Sequence, residues 1–132
     1  MITAVDTNIL FDILRPDEHH LQSSLRAFQH AQSEGSTVIC EIVYAEIAGL
    51  FRSRATLSQA LATSGLDVLR STEETLWTAA QIWRESRKGA RGGRILPDFL
   101  IGAHAQVLAD RLLTRDRGFY RQCFTQLTVL AP

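Results

Sequence analysis

The sequence has few cysteines, a single lysine and no long apolar run, and these scarcities exclude several classes of protein. Cys40 and Cys123 are the two cysteines among 132 residues, and neither belongs to a CxxC or His/Cys pattern. We therefore expect reduced thiols rather than a disulfide framework or a zinc site. No stretch of about 18 apolar residues predicts a membrane span, and no basic segment followed by an apolar run predicts a signal peptide. We expect a cytoplasmic protein without a membrane partner.

The formal net charge is zero, but the charges are unevenly distributed along the chain. Residues 1–66 carry four basic and seven acidic side chains, whereas residues 67–132 carry ten basic and seven acidic ones. Five cations lie within one eleven-residue segment, namely Arg84, Arg87, Lys88, Arg91 and Arg94. The planar guanidinium of arginine suits bidentate contacts with phosphate. The cluster is equally consistent with a surface that contacts nucleic acid and with a solvated helix end and loop.

Apolar periodicity predicts strands that alternate with helices in one domain over residues 1–132. Strands are predicted at ITAV (2–5), STVIC (36–40), LDVL (66–69), RLLT (111–114) and LTVL (127–130). Helices are predicted over 8–14, 17–34, 41–54, 57–63, 73–87, 98–110 and 116–123. In the 73–87 helix, the side chains expected on the buried side are Leu76, Ala79, Ala80 and Trp83. This alternation is typical of an α/β fold with a parallel sheet and helices on both faces.

Four acidic residues lie at positions that a sheet of this kind would bring to one end. Asp6 follows ITAV and Asp116 follows LLT, so their carboxylates share a crevice if strands one and four are neighbours. Asp98 lies in the first turn of a predicted helix, and Glu46 lies at the edge of an apolar helix face and tilts toward the interior. Each acid alone has a structural explanation, as a helix cap, a partner of the helix dipole or a solvated side chain. Those separate explanations do not account for the convergence of all four.

A cluster of four carboxylates has a chemical consequence. Two carboxylates about 4 Å apart repel by about 4 kcal/mol at an effective dielectric constant of about 20, so the cluster needs protons or a divalent cation. Ligands that are all oxygen select Mg²⁺ or Mn²⁺. One or two such ions orient a water and stabilise the charge that develops on a phosphodiester during in-line displacement. The sequence therefore predicts a metal-dependent hydrolase without a protein nucleophile.

Four segments resemble, in order, the signature segments of the PIN domain family: DTNIL, YAEI, PDFLIGAHA and LTRDRGF. The resemblance spans nearly the whole chain and implies a five-stranded sheet with the order 3-2-1-4-5. The metal-site acids of the family fall on Asp6, Glu46, Asp98 and Asp116. Asn8 and Thr114 match its polar supporting positions. The resemblance implies that Asp6 and Asp98 are the principal metal ligands.

The length of the chain is similar to that of VapC-type toxins of bacterial VapBC toxin–antitoxin pairs. The resemblance implies an endoribonuclease that uses one or two Mg²⁺ or Mn²⁺ ions and leaves 5′-phosphate and 3′-hydroxyl ends. It also implies a homodimer built on helices near the N-terminal half, and a VapB-type antitoxin that closes the active site. We expect an antitoxin Arg or Lys in the acid cluster and an amphipathic helix in an apolar groove beside it. Contacts with the RNA backbone are assigned to Arg91, Arg94, Arg115 and Arg117.

Other functions stay open at this point. A free-standing PIN nuclease in RNA processing would have no antitoxin encoded beside it, and a non-catalytic RNA-binding or protein-binding scaffold would be expected to have lost acids. A Rossmann-like phosphohydrolase or receiver domain fits less well. A dehalogenase-type site needs a second Asp where this chain has Asn8, and both classes use a late lysine, whereas the sole lysine is Lys88. His104 is interpreted as an ordinary helix residue rather than a general base.

Overall fold

Five short strands form one sheet in which all neighbouring strands run parallel. The computed structural model describes residues 1–88 and 94–132, with Lys88 described by its backbone alone. The strands in that part of the chain are β1 (Ile2–Val5), β2 (Ser36–Ile39), β3 (Leu66–Val68), β4 (Arg111–Leu113) and β5 (Val129–Leu130). Their order in the sheet is β3-β2-β1-β4-β5, so both the predicted fold class and the predicted order are confirmed.

The helices connect successive strands, as in other sheets built from parallel crossovers. They are α1 (Thr7–Leu14), α2 (Leu21–Glu34), α3 (Glu41–Ala48), α4 (Arg54–Ser64), α5 (Glu73–Lys88), α6 (Leu96–Leu108) and α7 (Arg117–Cys123). The prediction of one helix over 41–54 is wrong, because α3 ends at Ala48. Ser53 and Thr56 then form a capping box that starts α4. The predicted start at residue 17 is also wrong: Asp17 accepts a hydrogen bond from the His19 backbone, and this local turn replaces the first helical turn.

Consecutive residues of the central strands are buried, which shows that helices cover both faces of the sheet. Thr3, Ala4 and Val5 in β1 are all buried although successive side chains point to opposite faces. In the part of the chain that the structure describes, no helix is long and apolar enough to cross a membrane. Cys40 and Cys123 are both free.

Helix α5 buries a different stripe from the one that the sequence predicts. Ala79 is fully buried, and Trp83 packs against the core as expected, but Leu76 and Ala80 are exposed. The prediction was wrong for these two residues because two apolar stripes run side by side on this helix. Periodicity does not determine which of them faces the neighbouring α6.

The register of the central strands fixes where the acidic residues emerge. Val5 of β1 lies opposite Leu113 of β4, so the residues that follow these strands leave the sheet at the same edge. The Asp6 backbone N–H still donates to the Leu113 carbonyl at 3.0 Å, and the Thr114 N–H donates to Leu130 at 3.0 Å. This edge, the carboxyl end of the sheet, therefore carries both Asp6 and the segment that begins at Thr114.

Candidate active site

Asp6 is held in one orientation by hydrogen bonds on both carboxylate oxygens. It ends β1, caps α1 and is only 5% exposed. Its Oδ1 accepts from the Thr7 backbone N–H at 2.7 Å, while Oδ2 accepts from Thr114 Oγ1 at 2.7 Å and from Asn8 Nδ2 at 3.2 Å. Asn8 and Thr114, the two residues predicted to support the acids, thus both donate to the Asp6 carboxylate, and their supporting role stays a prediction.

The environment of Asp6 disfavours its negative charge. Burial raises the pKa of Asp6, and the nearby charge of Glu46 adds to this effect. Hydrogen bonds from Thr114, Thr7 and Tyr120 favour the ionised form, but they do not outweigh burial. A divalent cation beside this carboxylate would supply the missing compensation, so the residue fits a metal ligand.

Glu46 reaches the site through Thr7. The Thr7 hydroxyl donates to Glu46 Oε1 at 2.7 Å, and the Thr7 backbone contacts Asp6. The prediction that Glu46 tilts toward the interior is wrong. In the eight-residue α3, Val43 and Ile47 are buried and Glu46 is exposed. Sequence analysis also missed Thr7, although its place inside the DTN segment, between two predicted site residues, was an available signal.

Asp116 lies beside the supporting threonine and carries an ion pair. Its backbone N–H donates to Thr114 Oγ1 at 2.9 Å, and its Oδ2 lies 2.6 Å from Nη1 of Arg94. The Arg94 guanidinium also lies 4.5 Å from the ring centroid of Phe119. The hydrogen bond to Asp116 and the negative charges of Asp116 and Asp98 raise the pKa of Arg94. Arg94, assigned to RNA from the sequence, therefore occupies the acid site itself.

Asp98 and the buried Tyr120 complete the arrangement. Asp98 lies in the first turn of α6, as expected, where its negative charge suits the helix dipole. Burial raises the pKa of Tyr120, and the charges of Asp6, Asp98 and Asp116 raise it further. Three of the four predicted acids are therefore close enough to act on one tyrosine hydroxyl. Sequence analysis missed Tyr120, although it lies four residues after Asp116, which is about one helical turn from the residue that precedes α7.

The four acids share one end of the sheet without forming a ready-made metal shell. Within residues 1–88 and 94–132, no three His, Cys, Asp or Glu side chains are grouped so that they could hold a metal ion. Glu46 is engaged by Thr7, and Asp116 is engaged by Arg94. The donors are carboxylate oxygens, the type that hard divalent cations prefer. The assignment of these acids as metal ligands and catalytic residues stays a prediction.

Two further arginines were assigned to RNA, and Arg115 is already paired within the chain. Its Nε and Nη2 donate to Asp12 at 2.7 and 3.0 Å, and its backbone N–H donates to Asn8 Oδ1 at 3.1 Å. Ser24 also donates to the buried Asp12, at 2.6 Å. Arg117 is exposed at the start of α7. The fourth arginine, Arg91, lies outside the described residues.

His104 and Glu41 serve connections of the fold. His104 is buried in α6 with Nε2 2.6 Å from the Leu69 carbonyl, and burial lowers its pKa. Glu41 accepts hydrogen bonds from the backbone and hydroxyl of Ser71. Both contacts tie the segment between β3 and α5 to neighbouring elements, which agrees with the interpretation of His104 as a structural residue.

This chain belongs to the PIN domain family, whose model matches residues 3–125. The family that the four segments resemble is therefore confirmed. PIN domains are nucleases, so membership supports the coarser expectation of a hydrolase that acts on nucleic acid. No curated protein sequence matches the chain significantly.

Solved structures confirm the fold over almost the full length. The chain is similar to VapBC2 from Rickettsia felis bound to a promoter DNA fragment, with 21% identity, a TM-score of 0.74, and coverage of 99% of this chain and 98% of that one. VapBC-1 from nontypeable Haemophilus influenzae gives 25% identity, a TM-score of 0.74 and the same two coverages. FitAcB from Neisseria gonorrhoeae gives 20% identity, a TM-score of 0.67, and coverage of 98% and 96%.

Proposed function

We propose that this PIN domain is a metal-dependent endoribonuclease that acts as the toxin of a type II toxin–antitoxin pair. The observation that carries the proposal is the buried Asp6, held on both oxygens at the carboxyl end of the sheet, with Asp98 and Asp116 close by. A buried carboxylate whose charge is under-compensated needs a cation. The toxin role is supported by the similar VapBC structures.

The proposed site divides into ligands and supports. Asp6 and Asp98 would be the principal ligands of Mg²⁺ or Mn²⁺, and Asp116 and Glu46 would complete the shell directly or through water. An ion held there would supply an activated water and neutralise charge on the phosphodiester. Thr114 keeps the Asp6 oxygens turned into the site.

Asn8 and Tyr120 are two further supporting residues beside Asp6. Asn8 donates to Asp6 and accepts from the Arg115 backbone, so it links α1 to the segment after β4. The buried Tyr120 lies near Asp6, and its hydroxyl favours the ionised form of that carboxylate.

An antitoxin partner is supported by the similarity to the VapBC structures. An amphipathic antitoxin helix packed beside the acid site stays a prediction. The Arg94–Asp116 pair illustrates the contact that an antitoxin arginine would make with an acid of the site.

Nuclease activity is tested with matched Asp-to-Asn variants. Purified wild-type protein should cleave RNA in Mg²⁺ or Mn²⁺ and leave 5′-phosphate and 3′-hydroxyl ends, whereas Asp98→Asn should not. Asp67→Asn is the control, because Asp67 is an exposed carboxylate on β3, at the far edge of the sheet. Equal cleavage by wild type and Asp98→Asn would contradict the site. RNA binding without cleavage by the wild type would favour a non-catalytic scaffold.

The partner proposal has its own test. If a small reading frame lies beside the one for this chain, its product should form a tight complex with the chain and lower its affinity for Mn²⁺ in calorimetric titrations. Equal Mn²⁺ affinity in the free and complexed forms would exclude direct closure of the acid site. A nuclease that is active but has no such neighbour would be a free-standing PIN enzyme.

A further inference from the structure

Thr7 donates hydrogen bonds to two of the four acids at once. Its backbone N–H donates to Oδ1 of Asp6 and its hydroxyl donates to Oε1 of Glu46, each at 2.7 Å. The charge of Glu46 also raises the pKa of Asp6, which agrees with this proximity. Thr7 begins α1 and Glu46 lies on α3, 39 residues further along the chain. The hydroxyl bond therefore connects two helices that follow different strands of the sheet.

The bond from the Thr7 hydroxyl does not serve the local structure of α1. A threonine hydroxyl near the start of a helix commonly bonds to the backbone of its own first turn. In α1 the cap is Asp6, whose side chain accepts from the Thr7 backbone N–H. The hydroxyl of Thr7 instead reaches the side chain of an acid in a distant element. This arrangement points to a role in the acid site.

Glu46 needs a partner of this kind to keep one orientation. Its side chain is exposed, whereas Val43 and Ile47 of the same helix are buried. An exposed glutamate turns toward water and samples several rotamers, and holding it in one of them costs conformational entropy. Asp6, by contrast, is buried and receives hydrogen bonds on both oxygens. The Thr7 hydroxyl thus supplies a restraint that burial already provides for Asp6.

Thr7 is a rigid donor, which suits it to hold a more mobile side chain. It is only 8% exposed. The residue before it is fixed to the sheet, because the Asp6 backbone N–H donates to the Leu113 carbonyl at 3.0 Å. The branched Cβ of threonine restricts rotation about its first side-chain bond. A donor held in this way sets the position of its acceptor more precisely than a donor on a mobile loop would.

We propose that Thr7 is a positioning residue of the active site, whose hydroxyl holds Glu46 beside Asp6 so that the two carboxylates are presented together. The inference rests on the proposed nuclease function, in which both acids contribute to the metal site. Supporting partners of metal ligands typically change metal affinity or activity by about 10–100-fold. Thr7 contributes through Glu46 and not through the stability of the fold.

Matched substitutions at Thr7 separate positioning from folding. Thr7→Val keeps the shape of the side chain and removes the hydroxyl. Because Glu46 is exposed, water replaces the lost donor, and the thermal unfolding temperature should change little. Mn²⁺ affinity in calorimetric titrations and the rate of single-turnover RNA cleavage should each fall by about 10–100-fold. Thr7→Ser, which keeps a hydroxyl, should recover most of both losses, and Thr63→Val at an exposed position on α4 should match the wild type.

A double-mutant cycle tests whether Thr7 acts through Glu46. Glu46→Gln alone should weaken Mn²⁺ binding, and Thr7→Val added to it should cause no further loss, because the carboxylate that Thr7 positions is already gone. Additive losses, a Thr7→Ser variant as impaired as Thr7→Val, or a large drop in the unfolding temperature of Thr7→Val would each overturn the proposal. Wild-type binding and cleavage by Thr7→Val would overturn this inference alone. A wild type that neither binds Mn²⁺ nor cleaves RNA would overturn the proposed function as well.

Discussion

The two sides of the acid site are built differently. On the Asp6 side, a buried carboxylate receives hydrogen bonds on both oxygens from backbone, amide and hydroxyl donors. On the Asp116 side, a half-buried carboxylate pairs with Arg94, whose own side chain is 44% exposed. Asp6 is therefore fixed in place, whereas Asp116 is held by a contact that another cation can replace.

The two kinds of contact also differ in how much they contribute to the free energy of unfolding. Partly exposed ion pairs typically contribute about 0–1 kcal/mol, so exchanging Arg94 for a metal ion or an antitoxin arginine costs the fold little. Removing hydrogen-bond partners from a buried carboxylate costs about 1–3 kcal/mol for each unsatisfied group. In the proposed site, one side would therefore keep its geometry when a metal or an antitoxin binds, and the other side would change partners.

Replacing the carboxylate of the fixed side should have the largest effect on activity. We expect Asp6→Asn to lower RNA cleavage by at least about 100-fold, because loss of a ligand should exceed the 10–100-fold effect typical of supporting residues. Its free energy of unfolding should change by less than about 1 kcal/mol, since removal of a disfavoured charge offsets the loss of one acceptor. Single-turnover cleavage and urea unfolding measure the two effects. Wild-type activity in this variant would remove Asp6 from the chemistry.

Among these substitutions, loss of the ion pair between Arg115 and Asp12 should lower the free energy of unfolding most. Arg115→Ala leaves the buried Asp12 carboxylate with Ser24 but without its bidentate partner, and we expect a loss of about 1–3 kcal/mol in the free energy of unfolding. Arg117 is a nearby exposed arginine, and Arg117→Ala makes the same change in size. This control should lower the free energy of unfolding by less than about 0.5 kcal/mol. Urea unfolding of both variants compares them directly. Equal losses would show that the Asp12 pair does not anchor this segment.

The buried carboxylates of Asp12 and Asp6 should change the pH dependence of stability in opposite directions. Burial alone would raise the pKa of Asp12, but hydrogen bonds from Arg115 and Ser24 and the Arg115 charge outweigh it, and the net pKa is lowered. Asp12 therefore stabilises the fold above its unfolded pKa of 3.8, and this contribution is lost as pH falls through the lower folded value.

For Asp6 the folded pKa is raised above 3.8, so the folded state binds the proton more tightly. Its contribution to stability is present below pH 3.8 and is lost as pH rises through the raised folded value. Unfolding of Asp12→Asn and Asp6→Asn between pH 3 and 7, relative to wild type, should show opposite slopes. Slopes of the same sign would contradict the assigned shifts.

The smallest change in the free energy of unfolding is expected when the Arg94–Asp116 ion pair is removed. Arg94→Ala should change the free energy of unfolding by less than about 1 kcal/mol, because the pair with Asp116 is partly exposed. Mn²⁺ should bind about tenfold more tightly, since the competing cation is gone and one contact of about 1.4 kcal/mol corresponds to that factor. Calorimetric titration measures the affinity, with Arg117→Ala as the matched control. Weaker Mn²⁺ binding would show that Arg94 supports the metal rather than competing with it.

Local pattern was sufficient to predict much of the fold from the sequence. Short β-branched runs, caps and breakers determined the strands and the parallel class, because they reflect the conformational preferences of a few adjacent residues. The positions of Asp6 and Asp116 after strands also followed from local order along the chain. The order of the strands came from the resemblance to the PIN family, since composition and periodicity carry no information about which strands pair.

Contacts between residues far apart in the chain were decided by the tertiary structure alone. The ion pair of Arg94 with Asp116, the bidentate pair of Arg115 with Asp12 and the approach of Tyr120 to Asp6 each join separate elements. Two arginines that the sequence assigned to RNA proved to be paired with acids of their own chain. A sequence gives the charge of a side chain, but its partner depends on how helices and loops pack, and that packing also decided which apolar stripe of α5 is buried and which stays exposed.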